Sequence, residues 1–84
     1  MSRQEKLLQR LLSKPKNFTW DELKKLLGLY NYQLINGSGS RRKFIHKDSK
    51  QVISLHEPHP QNIIKSYVID DVINKLTELG YINE

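Results

Sequence analysis

Residues 32–56 read YQLINGSGSRRKFIHKDSKQVISLH, and this stretch decides the fold. It holds three short segments with the alternating, β-branched composition of strands, separated by a Gly/Ser turn and a second short turn: residues 32–36, 42–47 and 51–56. Because turns this short join neighbouring antiparallel strands, the stretch predicts a three-stranded antiparallel meander. Alternation divides the last strand into two faces, with Ile53 and Leu55 on one and Val52, Ser54 and His56 on the other.

Two helical segments precede the strands. Leucines recur at helical spacing in residues 3–13, and Pro15 ends this segment. A second helix is predicted from about Trp20 to Leu29. Its start carries a capping box and a hydrophobic staple, formed by Thr19 with Glu22 and by Phe18 with Leu23.

An amphipathic helix closes the chain. Ser66 is predicted to cap its start, acids in the first turns complement the helix dipole, and Gly80 marks the C′ position. The polar face holds Asp70, Asp71 and Asn74, whereas the apolar stripe consists of Val68, Ile69, Val72, Ile73, Leu76 and Leu79.

The order of these elements predicts an α+β fold with the helices on one face of a small sheet. A chain of 84 residues is one domain, and we expect a core of residues 18–84 with an N-terminal helical extension of residues 1–17. No apolar stretch approaches the roughly 20 residues of a membrane span, and the N-terminus is too polar for a signal peptide. A cytoplasmic protein with no membrane partner is expected. The absence of cysteine excludes a disulfide framework and a thiolate zinc site.

The formal net charge of +5 is unevenly distributed. Basic residues are concentrated in residues 1–16 and 37–50, whereas residues 51–84 hold two lysines against five acids. Basic patches attract phosphate backbones and release their counterions, so a nucleic acid is a candidate partner. The alternative is an ordinary solubilising surface.

The candidates for chemistry are three histidines, His46, His56 and His59. Prolines make the spacing of the last two irregular and no carboxylate pair lies nearby, so neither a metal nor a cofactor is predicted. The Gly/Ser turn precedes a strand, which excludes a nucleotide-binding P-loop. Histidine and basic residues together can cleave RNA without a metal, because RNA supplies its 2′-hydroxyl as the nucleophile. His46 is the candidate acid or base; the alternative is a half-buried strand residue with a satisfied ring nitrogen.

The order of elements and the motif Gly39-Ser40-Arg41-Arg42-Lys43-Phe44, followed by His46, carry a family resemblance. From Thr19 to about Leu79 the sequence resembles the HicA toxins of bacterial toxin–antitoxin systems. The resemblance implies a double-stranded-RNA-binding-like α-β-β-β-α core, to which the first helix is an addition. It also implies a metal-independent endoribonuclease acting on single-stranded mRNA and a HicB-type antitoxin as protein partner. The expected RNA contacts are Gly39, Ser40, Arg41, Arg42, Lys43 and Lys47.

The sequence departs from the family at the centre of the motif, where Arg41 occupies the position of the family's catalytic histidine. Arginine stays protonated and cannot act as a general base. Three hypotheses follow. His46 performs the proton transfer while Arg41 and Arg42 hold the phosphate, or the protein binds RNA without cutting it, or only its antitoxin still binds it.

A winged-helix DNA-binding module is the alternative from another class. Its wing would be the Gly/Ser turn. Against it, the recognition helix would be Thr19–Leu29, whose Asp21, Glu22, Lys24 and Lys25 are neutral in sum. A protein-interaction domain with incidental charge is a third alternative. Comparing the binding of single-stranded RNA and duplex DNA at matched salt separates the first two classes.

Overall fold

The computed structural model describes residues 3–58 and 61–82. Six elements follow one another along the chain: α1 (Arg3–Leu12), α2 (Trp20–Leu29), β1 (Tyr32–Asn36), β2 (Arg41–His46), β3 (Val52–His56) and α3 (Ser66–Glu78). This is the predicted α+β order, with helix–strand succession matching the α-β-β-β-α core. The boundaries of α1, β2 and β3 differ from the predicted ones by a single residue.

The start of α2 confirms the predicted capping box. Glu22 N donates to Thr19 Oγ1 at 3.2 Å, and Thr19 N donates to Glu22 Oε1 at 3.1 Å. Each side chain thereby satisfies a backbone N–H that the helix itself leaves without a partner. Phe18 and Leu23, the two residues of the predicted staple, are both fully buried in the core.

The three strands form one antiparallel sheet in the order β1-β2-β3. Successive side chains on a strand point to opposite faces, so the sheet has two different surfaces. We call the surface beneath the helices the closed face; its buried side chains are Tyr32, Phe44, His46, Ile53 and Leu55. We call the other surface the open face; it carries Gln33, Ile35, Arg41, Lys43, Ile45, Val52, Ser54 and His56, and none of these is buried.

Helix α3 presents its predicted apolar stripe to the core, with Ile69, Val72 and Leu76 buried to 1% exposure or less. Gly80 follows the helix with a φ of +85°, which confirms the predicted C′ position. The predicted cap was wrong. Ser66 is already the first helical residue, and the N-cap is Lys65, which makes no side-chain cap hydrogen bond. No acidic residue lies in the first turn of α3, because Asp70 and Asp71 lie in its second turn.

Helix α1 is packed into the same core. Leu11 has no exposed surface, and the Arg10 guanidinium pairs with both carboxylate oxygens of Glu22 at the start of α2. The same guanidinium lies 5.6 Å from the ring centroid of Phe18. Arg10 therefore connects α1 to the cap of α2.

The winged-helix alternative is wrong. That fold places a recognition helix before a two-stranded wing, whereas here a three-stranded meander follows α2 and α3 then packs on the same sheet. Within the described ranges, no helix combines the length and the apolar character needed to cross a bilayer.

Candidate nucleic-acid interface

The Gly/Ser turn between β1 and β2 is fixed by its own backbone. Gly37 N donates to Arg41 O at 2.8 Å, and Glu57 N donates to Ser40 O at 2.8 Å, which ties the turn to the end of β3. Gly39 adopts a φ of +62°, a conformation that glycine reaches without steric cost. The turn therefore belongs to the sheet and sets the point at which Arg41 begins β2.

Two cations stand next to each other on the open face of β2. Arg41 and Lys43 are both exposed and lie two residues apart, which is about 6.6 Å along a strand. Directly opposite them on β3 are His56 and Ser54, respectively. A groove of about 310 Å³ runs between these side chains. The structure thus brings two predicted RNA contacts together with a histidine.

Arg42 is turned away from its two basic neighbours. Its Nε donates to Glu57 Oε1 at 3.0 Å and its Nη1 donates to Gly39 O at 2.9 Å, leaving the side chain 18% exposed. Because side chains alternate along β2, Arg42 points to the same face of the sheet as Phe44 and to the opposite face from Arg41. The guanidinium of Arg42 joins the turn to the end of β3 and is paired there, although Arg42 is also among the residues that line the groove.

His46 lies on the closed face at the other end of β2, with 4% of its surface exposed. Its Nδ1 accepts from the backbone N–H groups of Ser49 at 3.0 Å and Asp48 at 3.3 Å. Because Nδ1 accepts, the proton of the neutral ring is on Nε2, which donates to Tyr81 Oη at 2.9 Å. Both ring nitrogens are therefore used inside the fold.

A second aromatic residue closes the surroundings of His46. The ring of Tyr32 packs against the imidazole at 5.1 Å between centroids. Burial raises the pKa of Tyr32 to about 12, so its hydroxyl stays protonated and donates to Gln51 Oε1 at 2.8 Å. This environment is that of a structural core histidine.

Sequence reasoning did not select His56 as a site residue. The side chain is exposed on the open face, where its Cα is the register partner of Arg41. Its Nδ1 lies 3.2 Å from Ser40 Oγ. The strand alternation predicts that this histidine lies on the face opposite Ile53 and Leu55, but only the pairing register shows that it lies beside Arg41.

Lys47 is separated from this group. It follows the end of β2, six residues beyond Arg41 and about 20 Å away along an extended chain. Its backbone N–H donates to Asn31 O at 2.9 Å, near the start of β1. Lys47 therefore belongs to the opposite end of the sheet from the Gly/Ser turn.

A cleft continues from His56 around the edge of β3 towards the start of α3. It has a volume of about 380 Å³, and its lining includes Ser40, His56, Lys65 and Tyr67. Tyr67 is 66% exposed, the highest value among the large hydrophobic side chains of the described residues. An adjoining hollow of about 760 Å³ extends from Tyr67 to Lys14 and Lys16. The cleft and the hollow next to it are thus lined by a histidine, an exposed tyrosine ring and three lysines.

Residues 3–58 and 61–82 contain no group of three or more histidine, cysteine or acidic side chains arranged to hold a metal ion. The third histidine of the sequence, His59, lies outside the described residues.

The fold and this surface define a small α+β domain with a basic, histidine-bearing open sheet face. The family model described as the HicA toxin of bacterial toxin–antitoxin matches residues 20–80. The chain belongs to the HicA toxin family, so it is the toxin component of a toxin–antitoxin system and has a cognate antitoxin as partner. No curated protein and no solved structure matches the chain with significance.

Proposed function

We propose that this toxin acts on RNA, and that it binds single-stranded mRNA across the open face of the sheet. The observation that carries the proposal is the grouping of Arg41, Lys43 and His56 around one groove on that face. Because the proposed target is mRNA, we expect the toxin to act in the cytoplasm. Cleavage of the bound strand, as a metal-independent endoribonuclease, is the activity that we assign to the domain.

The two open-face cations are available to a phosphate backbone. Among the described residues, neither Arg41 nor Lys43 forms an ion pair with a carboxylate, whereas Arg42 is paired with Glu57. An unpaired exposed cation can displace the condensed counterions of a nucleic acid, and this release favours binding. Arg41 and Lys43 therefore supply the electrostatic part of the interface.

The cleft beside His56 favours a single strand over a duplex. Unpaired bases stack on exposed aromatic rings, and Tyr67 offers such a ring next to the cationic Lys65. In a duplex the bases are already stacked on one another and cannot reach the tyrosine. The start of α3 also offers Lys65 as the one basic residue of its N-cap and first turn, which is little for a helix that would lie against duplex phosphates.

The same surface is the proposed contact for a HicB-type antitoxin. Ile35 and Val52 are each 41% exposed on the open face, next to the basic side chains. An acidic partner with apolar anchors would cover both the exposed apolar groups and the cations, and would exclude RNA while bound.

The test measures RNA affinity as a function of salt. The double variant Arg41→Ala with Lys43→Ala is compared with Lys6→Ala with Lys25→Ala, which removes two exposed lysines from α1 and α2. A single-stranded RNA contact contributes about 0.7 to the slope of log K against log salt, so the open-face variant is expected to lose about 1.4. The helix variant is expected to keep the wild-type slope. Equal slopes in all three proteins would contradict RNA binding at the open face.

A further inference from the structure

We propose that His56 is the residue that takes the proton from the attacking 2′-hydroxyl of bound RNA. The inference rests on the proposed function, because it assigns a role within the same RNA site. It is carried by the position of one exposed histidine on the open face, directly across from Arg41.

The sheet register brings the two side chains together. Residues directly opposite each other on antiparallel strands have Cβ atoms about 5 Å apart and point to the same face. Arg41 and His56 are such a pair, and the next pair along the strands is Arg42 with Leu55 on the closed side. A phosphate held by Arg41 therefore lies within reach of the His56 ring.

Ser40 orients the imidazole. With the proton on Nδ1, the ring donates to Ser40 Oγ across 3.2 Å, and Nε2 carries the lone pair that a base needs. The hydrogen bond of the ring within residues 3–58 and 61–82 is made through Nδ1, and Nε2 has none there. His46 has the opposite arrangement, since its two ring nitrogens are bonded inside the core.

The chemical step balances without a metal or an added co-reactant. Nε2 of His56 takes the 2′-hydroxyl proton while the 2′-oxygen bonds to phosphorus and the bond from phosphorus to the 5′-oxygen breaks. The leaving 5′-oxygen takes a proton from water, and the imidazolium returns its own to solvent. Arg41 and Lys43 stabilise the negative charge that develops on the phosphoryl oxygens. The products are a 2′,3′-cyclic phosphate and a 5′-hydroxyl.

The decisive experiment compares wild type, His56→Gln and His46→Gln on end-labelled total mRNA and on random-sequence single-stranded RNA. Binding, cleavage and unfolding midpoint are measured on each protein. Loss of general-base catalysis typically costs 10²- to 10⁴-fold, so His56→Gln is expected to cleave at least about 100-fold more slowly. Its affinity for RNA and its unfolding midpoint are expected to match wild type.

The control isolates the effect of stability. His46→Gln is expected to lower the unfolding midpoint, while the folded fraction still cleaves RNA. Wild-type cleavage that persists in His56→Gln overturns the inference, and so does a wild type that binds RNA and leaves it intact. Failure of wild type to bind RNA overturns the proposed function as well, and the binding measurement separates these cases.

Ser40 is a positioning residue, and its variants refine the test. Ser40→Ala is expected to lower kcat about fivefold with KM unchanged, the equivalent of a hydrogen bond worth about 1 kcal/mol. Ser40→Thr keeps the hydroxyl and is expected to restore kcat. An equal loss in both variants would show that the hydroxyl does not orient His56.

Discussion

The closed and open faces of the sheet each hold one histidine, and the two differ in almost everything but residue type. His46 is buried between Tyr32 and Tyr81, with both ring nitrogens bonded. His56 is exposed, held through one nitrogen by Ser40 and placed across from Arg41. The first is a packing residue with polar partners, whereas the second is exposed on the face to which we assign the RNA site.

Comparing the two shows that the surroundings of a histidine in a strand depend on the face of the sheet to which it points and on the residue opposite it on the neighbouring strand. Proximity to a motif in the sequence favoured His46, which lies five residues after Arg41. In the sheet those five residues correspond to about 17 Å and to the opposite face. His56 is fifteen residues from Arg41 in the chain and its direct neighbour in space.

The largest expected change in stability comes from a substitution in the core beneath the closed face. Leu76 has no exposed surface, so Leu76→Ala removes packed methyl groups and leaves a cavity, at a cost of about 2–5 kcal/mol. Asn74→Ala, on the exposed side of α3, is expected to change stability by less than about 0.5 kcal/mol. Urea unfolding of both variants measures the difference. Similar midpoints for the two would mean that the buried side of α3 has been misassigned.

A smaller effect is expected at the buried histidine. His46→Ala removes the partner of Tyr81 Oη and of the Ser49 N–H in a closed environment, which should lower the free energy of unfolding by about 2–3 kcal/mol. Tyr81→Phe removes only one of these hydrogen bonds and is expected to cost about 1 kcal/mol. A His46→Ala protein as stable as wild type would break the contrast between the two faces.

In the helices that cover the closed face, one ion pair makes a pH-dependent contribution to the free energy of unfolding. The hydrogen bond from Arg10 lowers the pKa of Glu22 to about 2, and hydrogen bonds from Thr19 act in the same direction. A lowered carboxyl pKa stabilises the fold above the unfolded value of about 4.3, and this stability is lost as the pH falls towards 2. Glu22→Gln is expected to cost about 1 kcal/mol at pH 7, since the pair is partly exposed to solvent.

The measurement is urea unfolding of wild type and Glu22→Gln between pH 7 and pH 2. The stability difference between them should be constant above about pH 5 and shrink below it. Asp21→Asn, at an exposed neighbouring position, is the control and should show a smaller change. A difference that grew on acidification would contradict the assigned pairing.

The smallest effect is expected at the open face. His56→Ala should change the free energy of unfolding by less than about 0.5 kcal/mol, because the side chain is exposed and makes one side-chain hydrogen bond. Thermal unfolding beside His46→Ala gives the comparison directly. A loss as large as that of His46→Ala would show that His56 is also a structural residue.

Most of the fold could be predicted because its signals are local. The capping box at Thr19, the alternation in 51–56 and the glycine after α3 each act within a few residues of where they appear. The cap of α3 could not be predicted in the same way. A serine before an apolar run is a good cap only if its own backbone is extended, and here Lys65 has that conformation.

The candidate site was less predictable because it depends on pairing between strands. The motif predicts Arg41, Arg42 and Lys43 as RNA contacts, but the sequence alone does not show that Arg42 turns towards Glu57. Alternation separates His56 from Ile53 and Leu55, whereas its partner on β2 is set by the register of the turn after β2. Burial of His46 also depends on Tyr81, which lies 35 residues away in the chain.

The buried side chain of Leu11 has a consequence for shortening this polypeptide. A fragment that began at Trp20, where the family match starts, would lack Leu11, Phe18 and the capping threonine. Such a fragment would expose apolar surface that the intact chain covers, and it would be prone to aggregate during expression. A fusion partner or affinity tag therefore belongs ahead of α1 and cannot replace it.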